Sequence, residues 1–217
     1  MMKNNITEIV FILDRSGSMQ GLELDTIGGY NAMIEKQKKE DGKAIITTVL
    51  FDDEYELLHD RFDINDIKPL TESEYYVRGC TALLDAVGKS ITKIANVQKN
   101  ISQKADKILF IITTDGYENA SKEYTYDKIK SMINEQKEKY GWEFIFMGAN
   151  IDAIKEAGKF GIDKNNAVNY HSDRVGTGLC YGVMSEVISQ VRRNKKLSSD
   201  WKDSIDKDYN SRNKSKR

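Results

Sequence analysis

The sequence has little of several residue types, and each shortage excludes a class of protein. Its 217 residues include two cysteines, Cys80 and Cys180, a hundred positions apart and without CxxC or Cys/His spacing. Neither a disulfide framework nor a zinc site is therefore predicted. With a single proline and no proline-rich or Gly/Ser-rich stretch before residue 192, the chain has no sign of a linker. One domain is the expected count.

Long apolar runs are also missing. No run approaches the roughly 20 residues that a membrane span needs. Near the amino end, the apolar run 9–13 is interrupted by Asp14 and Arg15, which makes it too short for a signal peptide. We therefore expect a protein without a membrane span and with a cytoplasmic location.

Net charge is close to zero, with 33 basic and 34 acidic side chains. This balance argues against a nucleic-acid binder. The charges are unevenly placed, because residues 192–217 carry ten Lys/Arg and four Asp/Glu. We expect a domain over residues 1–191 and a basic, polar, partly disordered tail over 192–217, with a short helix around Trp201 as an alternative. Nucleic-acid contact is expected, if anywhere, only through this tail.

Short apolar runs alternate with longer segments of helical periodicity. The runs are continuous and rich in β-branched and aromatic residues, as is typical of parallel strands buried on both faces; they are 9–13, 45–51, 108–112 and 144–147. Elsewhere apolar residues recur three or four positions apart, which predicts amphipathic helices over 27–34, 84–94, 129–140 and 179–191. This alternation predicts an α/β fold with a doubly wound sheet and helices on both faces.

One connection departs from the alternation. The runs 47–51 and 55–59 are too close for a crossover helix, so we expect a hairpin and one antiparallel strand at a sheet edge. The acidic residues around this turn could bind Ca²⁺ but lack the spacing of a calcium loop, so we expect a solvated hairpin tip; they are Asp52, Asp53, Glu54 and Glu56.

Polar side chains with oxygen ligands follow the first strand and a later one. Asp14, Ser16 and Ser18 come after the first strand, and Asp115 comes after the strand predicted at 108–112. Ligands of open α/β sheets bind outside the carboxyl ends of the strands, where the strand order reverses, so we expect these segments to meet. A glycine-bearing loop that leads into a helix can place Thr81 at the same rim.

This set of two carboxylates and three hydroxyls points to a hard divalent cation. Oxygen ligands suit Mg²⁺, Mn²⁺ or Ca²⁺, and short side chains favour the octahedral geometry of Mg²⁺. Two carboxylates at most balance the charge of the ion. An open coordination position would then accept an Asp or Glu side chain of a partner protein.

The same residues resemble the metal-ion-dependent adhesion site (MIDAS) of von Willebrand factor A (vWA) domains. The resemblance lies in Asp14-x-Ser16-x-Ser18 after a strand, Thr81 in Gly-Cys-Thr-Ala-Leu, and Thr114-Asp115-Gly116, all in the family's order. It covers roughly residues 6–191 and implies a Rossmann-like, mostly parallel sheet of about six strands with one antiparallel edge strand.

The resemblance also implies roles. Ser16 and Ser18 would coordinate the cation directly and Asp14 directly or through water, while Thr81 and Asp115 would change between the two with the ligand state. The family does not catalyse, and this chain resembles its stand-alone bacterial members, which often act beside ATPases of the AAA class. The implied function is divalent-cation-dependent binding of another protein.

Four residues near the motif are candidate partner contacts: Met19, Arg78, Tyr117 and Glu118. Two other functions stay open at this point. One is a Mg²⁺-dependent phosphatase that uses Asp14 as its nucleophile, although Ser16 stands where such enzymes normally place a second aspartate. The other is an assembly subunit with a vestigial metal site, which would bind partners through another face.

Overall fold

A computed structural model describes residues 5–195, 197–198 and 200–214. Within them, six strands form one sheet in the order β3-β2-β1-β4-β5-β6. The strands are β1 (Ile6–Asp14), β2 (Lys43–Phe51), β3 (Tyr55–Asp63), β4 (Lys107–Thr114), β5 (Glu143–Ala149) and β6 (Ala167–Tyr170). Strand β3 is antiparallel to β2 and every other neighbouring pair is parallel, which confirms the predicted α/β sheet with its antiparallel edge strand.

Six α-helices lie in the described part of the chain: α1 (Glu23–Gln37), α2 (Leu83–Asn100), α3 (Tyr126–Tyr140), α4 (Ala153–Lys159), α5 (Arg174–Arg192) and α6 (Asp203–Lys214). The four helices predicted from periodicity are confirmed as α1, α2, α3 and α5. Strand β6 and helix α4 were not predicted, because four and seven residues are too few to show a period. None of the described helices has the length and apolar character needed to cross a membrane.

The sheet separates two cores, as a strand buried on both faces requires. All nine residues of β1 are buried. Ile9, Phe11 and Leu13 pack into the core formed with α1 and α5, whereas Val10 and Ile12 pack into the core formed with α2, α3 and α4. The alternation of side chains along a strand thus supplies both faces from one continuous apolar run.

Helices α1 and α5 pack together closely on the first face. Gly29 permits this, because a Cβ there would lie 2.5 Å from the Tyr181 ring. The amide of Gln37 donates to the Ser185 carbonyl at 2.8 Å and to Ser189 Oγ at 2.9 Å. At the end of α5, the Arg192 guanidinium donates to carbonyls of the α1–β2 connection, including Gly42 at 2.8 Å. The last long helix is therefore held at several points.

The described part of the tail after residue 191 is ordered and includes helix α6, whereas partial disorder was expected. Helix α6 packs on β6 and α5, and Trp201 and Ile205 are buried in the first core. The Trp201 indole donates to the Asn165 carbonyl at 2.8 Å. Trp201 lies just before α6 and Ile205 lies within it, and Lys202 Nζ adds hydrogen bonds to the Lys164 and Ala167 carbonyls at 2.7 Å. The division of the chain at residue 191 stays a prediction.

Candidate metal centre

The candidate ligands meet where β1 and β4 end. These strands are neighbours in the sheet, and their register pairs Leu13 with Thr113. Asp14 and Thr114 are the next residues of each strand, and Asp115 follows directly. Because both strands are parallel, their carboxyl ends lie at one edge, which is the arrangement expected of a ligand site.

Three hydroxyls form a cluster at this edge. Thr81 Oγ1 donates to Ser16 Oγ at 2.9 Å, and Ser16 Oγ lies 3.1 Å from Ser18 Oγ. Gly116 borders the cluster, and a Cβ there would lie 2.9 Å from both Ser18 Oγ and Thr81 Oγ1. A side chain at this position would therefore fill the cradle that the hydroxyls form.

Asp14 lies beside the cluster and has both carboxylate oxygens engaged. One oxygen accepts from the Ser16 backbone N–H at 2.7 Å, and the other accepts from Thr114 Oγ1 at 2.5 Å. Burial raises the pKa of Asp14 to about 6 and the neighbouring charge of Asp115 adds to it, although the hydrogen bonds from Thr114 and Ser16 lower it in part. A carboxylate in this position is favoured by nearby positive charge.

Asp115 is the least satisfied group of the site. Both carboxylate oxygens are buried, and neither has a hydrogen-bond partner in the described structure. Burial raises the pKa of Asp115, and the nearby polar side chains of Ser18 and Asn150 oppose this shift in part without reaching hydrogen-bond geometry. A buried carboxylate without a partner costs free energy unless something compensates its charge.

The donor chemistry of this edge fits a hard divalent cation. Two carboxylates and three hydroxyls present oxygen atoms only, and Asp115 lacks the partner that a cation would supply. The described residues contain no group of three or more His, Cys, Asp or Glu side chains placed to hold a metal ion. A cation site at this edge therefore depends on the hydroxyls as much as on the carboxylates.

The segments that carry Thr81 and Asp115 are joined by hydrogen bonds. The Thr81 N–H donates to Asn119 Oδ1 at 2.9 Å, and the Asn119 N–H donates to the Thr81 carbonyl at 3.0 Å. Glu118 accepts from the Leu84 N–H at 2.8 Å, at the start of α2. The segments that carry Thr81 and Asp115, the two residues expected to respond to ligand, are thus connected directly to each other.

A buried ion-pair network supports the other side of the site and was missed from the sequence. Asp52 is fully buried rather than solvated, and it accepts from Arg15 Nε at 3.0 Å and Arg78 Nε at 2.7 Å. Arg15 also pairs with Glu56 at 2.7 Å, so the hairpin residues and the motif loop share their charges. Asp53 and Glu54 stay exposed and match the expected solvated tip, although Glu54 pairs with Arg78. The position of Arg15 inside the Asp-x-Ser motif was the one available signal.

The candidate partner contacts divide into three kinds. Met19 is buried, with 1% of its surface exposed, so it does not lie on the contact surface as expected. It is the last residue of a short 3₁₀ helix that turns inward after the motif. Arg78 is partly exposed but paired with acidic side chains, and Glu118 is engaged in the loop described above. Tyr117 is exposed and follows Asp115 by two residues.

Comparison with known proteins gives matches in structure and none in sequence. No protein-family model matches the chain, and no curated protein is significantly similar to it. A mussel byssus protein, proximal thread matrix protein 1, in a form with a zinc-occupied MIDAS motif, shares 15% identity over 86% of this chain with a TM-score of 0.57. A von Willebrand factor type A protein from Catenulispora acidiphila shares 13% identity over 85% with a TM-score of 0.57.

A third neighbour is the manganese-loaded TRAP protein of Plasmodium vivax, with 14% identity over 82% of this chain and a TM-score of 0.55. The chain spans 46% of the mussel protein, 42% of the Catenulispora protein and 72% of TRAP. The matched region is thus less than half of the first two proteins. Identity at this level shows the fold, and the chain has the fold of a von Willebrand factor A domain.

Proposed function

We propose that this chain is a divalent-cation-dependent protein-interaction module, not an enzyme. The observation that carries the proposal is the buried Asp115 carboxylate, which has no hydrogen-bond partner beside a cluster of three hydroxyls. A cation would compensate this carboxylate and would take its remaining ligands from the hydroxyls. Two structural neighbours support the proposal, since one has a zinc-occupied MIDAS motif and another is manganese-loaded.

Each residue has a proposed role toward Mg²⁺, with Mn²⁺ or Ca²⁺ as alternatives. Ser16 and Ser18 would be direct ligands, and Asp14 would bind directly or through water. Thr81 and Asp115 would exchange between direct and water-mediated contact. When bound, the cation supplies an electrophilic position that an Asp or Glu carboxylate of a partner completes.

The partner class follows from the resemblance to vWA domains, the location is an expectation from the sequence, and both are part of the proposal. We propose a cytoplasmic, bacterial module whose partner presents a carboxylate, with a system built on an AAA-class ATPase as one candidate. In line with a reducing location, Cys80 and Cys180 are both free. Among the rim residues, Tyr117 is the contact that the structure favours, because its side chain is exposed.

No observation favours the phosphatase alternative. Ser16 stands where such enzymes normally place a second aspartate as general acid, and none of the named rim residues replaces it. We expect no turnover of p-nitrophenyl phosphate at any divalent cation. Turnover that is lost in Asp14→Asn would establish the alternative.

Thermal unfolding of chelator-treated protein tests the proposal. Mg²⁺, Mn²⁺ and Ca²⁺ are titrated into the native chain, into Asp115→Asn, and into Glu186→Gln, which removes the same charge from an exposed site on α5. A ligand at a hundred times its dissociation constant stabilises the folded state by about 2.7 kcal/mol, or roughly 5–10 °C for a chain of this size.

We expect this shift in the native chain and in Glu186→Gln, and its loss in Asp115→Asn. An unchanged midpoint in the native chain with all three cations would contradict the proposal and favour a vestigial site. An equal shift in Asp115→Asn would show that the cation binds elsewhere.

A further inference from the structure

Most of the large exposed apolar side chains lie at one edge of the sheet. The described residues contain seven such side chains: Leu24, Phe62, Tyr76, Tyr117, Tyr140, Ile154 and Val175. Phe62 and Tyr140 lie toward the amino ends of the parallel strands, since Phe62 pairs with Ile46 near the start of β2 and Tyr140 precedes β5. The other five follow or precede the loops at the carboxyl edge, where the candidate cation site lies.

Tyr76 lies on the β2 side of that site and is held in place. Its ring is 5.3 Å from the Arg15 guanidinium carbon and 5.5 Å from that of Arg78. Arg15 directly follows Asp14, and the Arg78 N–H donates to the Arg15 carbonyl at 2.9 Å. Although the two guanidinium groups hold the ring, 44% of the surface of Tyr76 stays exposed.

Tyr117 lies on the β5 side and is also held. Its hydroxyl accepts from the Asp152 N–H at 3.2 Å, in the loop between β5 and α4. The residue is 52% exposed, and Ile154 beside that loop is 40% exposed. A fixed aromatic side chain loses little conformational freedom on binding, which is why such residues dominate interfaces.

We propose that Tyr76 and Tyr117 form two apolar subsites, one on each side of the cation, and that the partner segment carries an apolar residue on both sides of its acidic one. This inference rests on the proposed function and names its partner class. The ends of β2 and β5 are three strand spacings apart, about 14 Å, which about four extended residues span. In an extended segment, positions i−2, i and i+2 face the same side.

The expected motif is therefore apolar-x-acidic-x-apolar. Its acidic residue would meet the cation, and its two apolar residues would meet Tyr76 and Tyr117. Without the cation, carboxylates at this edge would repel the acidic residue of such a segment, because Asp53 and Asp152 are exposed there and Asp14 and Asp115 line the site. Binding should therefore depend strictly on the cation.

A peptide array tests this inference. Each peptide has a central Asp, with every amino acid type placed in turn at positions −2 and +2, and matched peptides carry Asn in the centre. Binding of the labelled protein is measured in Mg²⁺ and in chelator. The variants are Tyr76→Ala, Tyr117→Ala and the control Tyr140→Ala, which removes an exposed tyrosine at the opposite edge.

We expect binding that needs both Mg²⁺ and the central Asp and that is strongest with apolar residues at −2 and +2. Tyr76→Ala and Tyr117→Ala should each weaken the best peptide about tenfold and abolish the preference at one of the two positions. Tyr140→Ala should bind as the native chain does. The cation-induced thermal shift of Tyr117→Ala should be unchanged, which separates loss of a contact from damage to the metal site.

Two results would overturn the inference in distinguishable ways. Cation-dependent binding of Asp peptides without any preference at −2 and +2, or with full affinity in both tyrosine variants, would remove the apolar subsites and leave the proposed function standing. Absence of any binding that requires both the cation and the central Asp would contradict the proposed partner chemistry itself, and the subsites with it.

Discussion

Asp52 connects three segments that surround the candidate site. Besides its ion pairs with Arg15 and Arg78, its carbonyl accepts from the Ala82 N–H at 2.8 Å, next to Thr81. Its other carboxylate oxygen accepts from the Glu54 N–H at 2.7 Å. Although Asp52 is not itself a candidate ligand, its side chain holds Arg78, three residues before Thr81, and its backbone carbonyl holds Ala82.

Replacement of Asp52 should therefore affect both stability and cation binding. In Asp52→Ala, Arg15 stays buried with only Glu56 as an acidic partner, and breaking a buried ion pair costs about 3 kcal/mol. We also expect a smaller cation-induced thermal shift, because Arg78, three residues before Thr81, loses its ion pair with Asp52. Urea unfolding in chelator measures the first effect.

Glu54→Ala is the matched control, since it removes an exposed carboxylate that pairs with the same Arg78. Its effect on the free energy of unfolding should stay below about 1 kcal/mol. Equal effects of the two substitutions would show that the buried network does not support the loop.

At the scale of elements, the two neighbouring glycines of α1 have opposite surroundings. A Cβ on Gly29 would lie 2.5 Å from the Tyr181 ring, whereas a Cβ on Gly28 would have no atom within 4 Å. Gly29→Ala should destabilise the protein by about 1–3 kcal/mol, because α1 and α5 must separate. Gly28→Ala should stabilise it by up to about 1 kcal/mol through helix propensity. Thermal unfolding should show a lower midpoint for Gly29→Ala and a higher one for Gly28→Ala. Midpoints that both rise or both fall would contradict the described packing.

Helix α6 depends on a small apolar contact. Trp201 is buried and its indole is hydrogen-bonded to Asn165. Trp201→Ala should cost about 3 kcal/mol and release α6 from β6. Limited trypsin digestion should then cut rapidly at Lys202 and Lys207, while the control Ser204→Ala, an exposed position of the same helix, should resist as the native chain does. Native-like resistance of Trp201→Ala would show that α6 is held by other contacts.

At the scale of the whole molecule, stability should depend on pH through His59. This residue is buried on edge strand β3, and burial lowers its pKa below the ordinary value of 6.5, although Glu74 raises it in part. As pH falls through 6.5, His59 is protonated in the unfolded chain before it is protonated in the folded chain. His59 therefore lowers the free energy of unfolding as pH falls below 6.5 and has no such effect above pH 6.5.

The comparison of native chain with His59→Gln isolates this effect. In chelator, the difference in free energy of unfolding between the two should shift in favour of the variant as pH falls from 7 to 5. Contributions of the carboxylates are common to both proteins and cancel. A difference that does not change with pH would contradict the lowered pKa.

Much of the fold and site could be predicted from the sequence because the signals are local. Continuous apolar runs indicated β1, β2, β4 and β5, and the short connection after β2 indicated β3. The three- and four-residue period indicated α1, α2, α3 and α5. The rule that ligands bind at the carboxyl ends of parallel strands predicted that Asp14 and Asp115 would meet, as they do. Whether the five oxygen ligands hold a cation stays a prediction.

By itself, the sequence determined which segments are strands and helices and which polar residues follow the strands, because these depend on order along the chain. Tertiary structure alone decided that Asp52 and Met19 are buried, that Trp201 docks the tail, and that Asp115 lacks a partner. Each of these depends on side chains from segments far apart in sequence. Burial and hydrogen bonding between such segments leave no period in the sequence, so only the folded chain defines them.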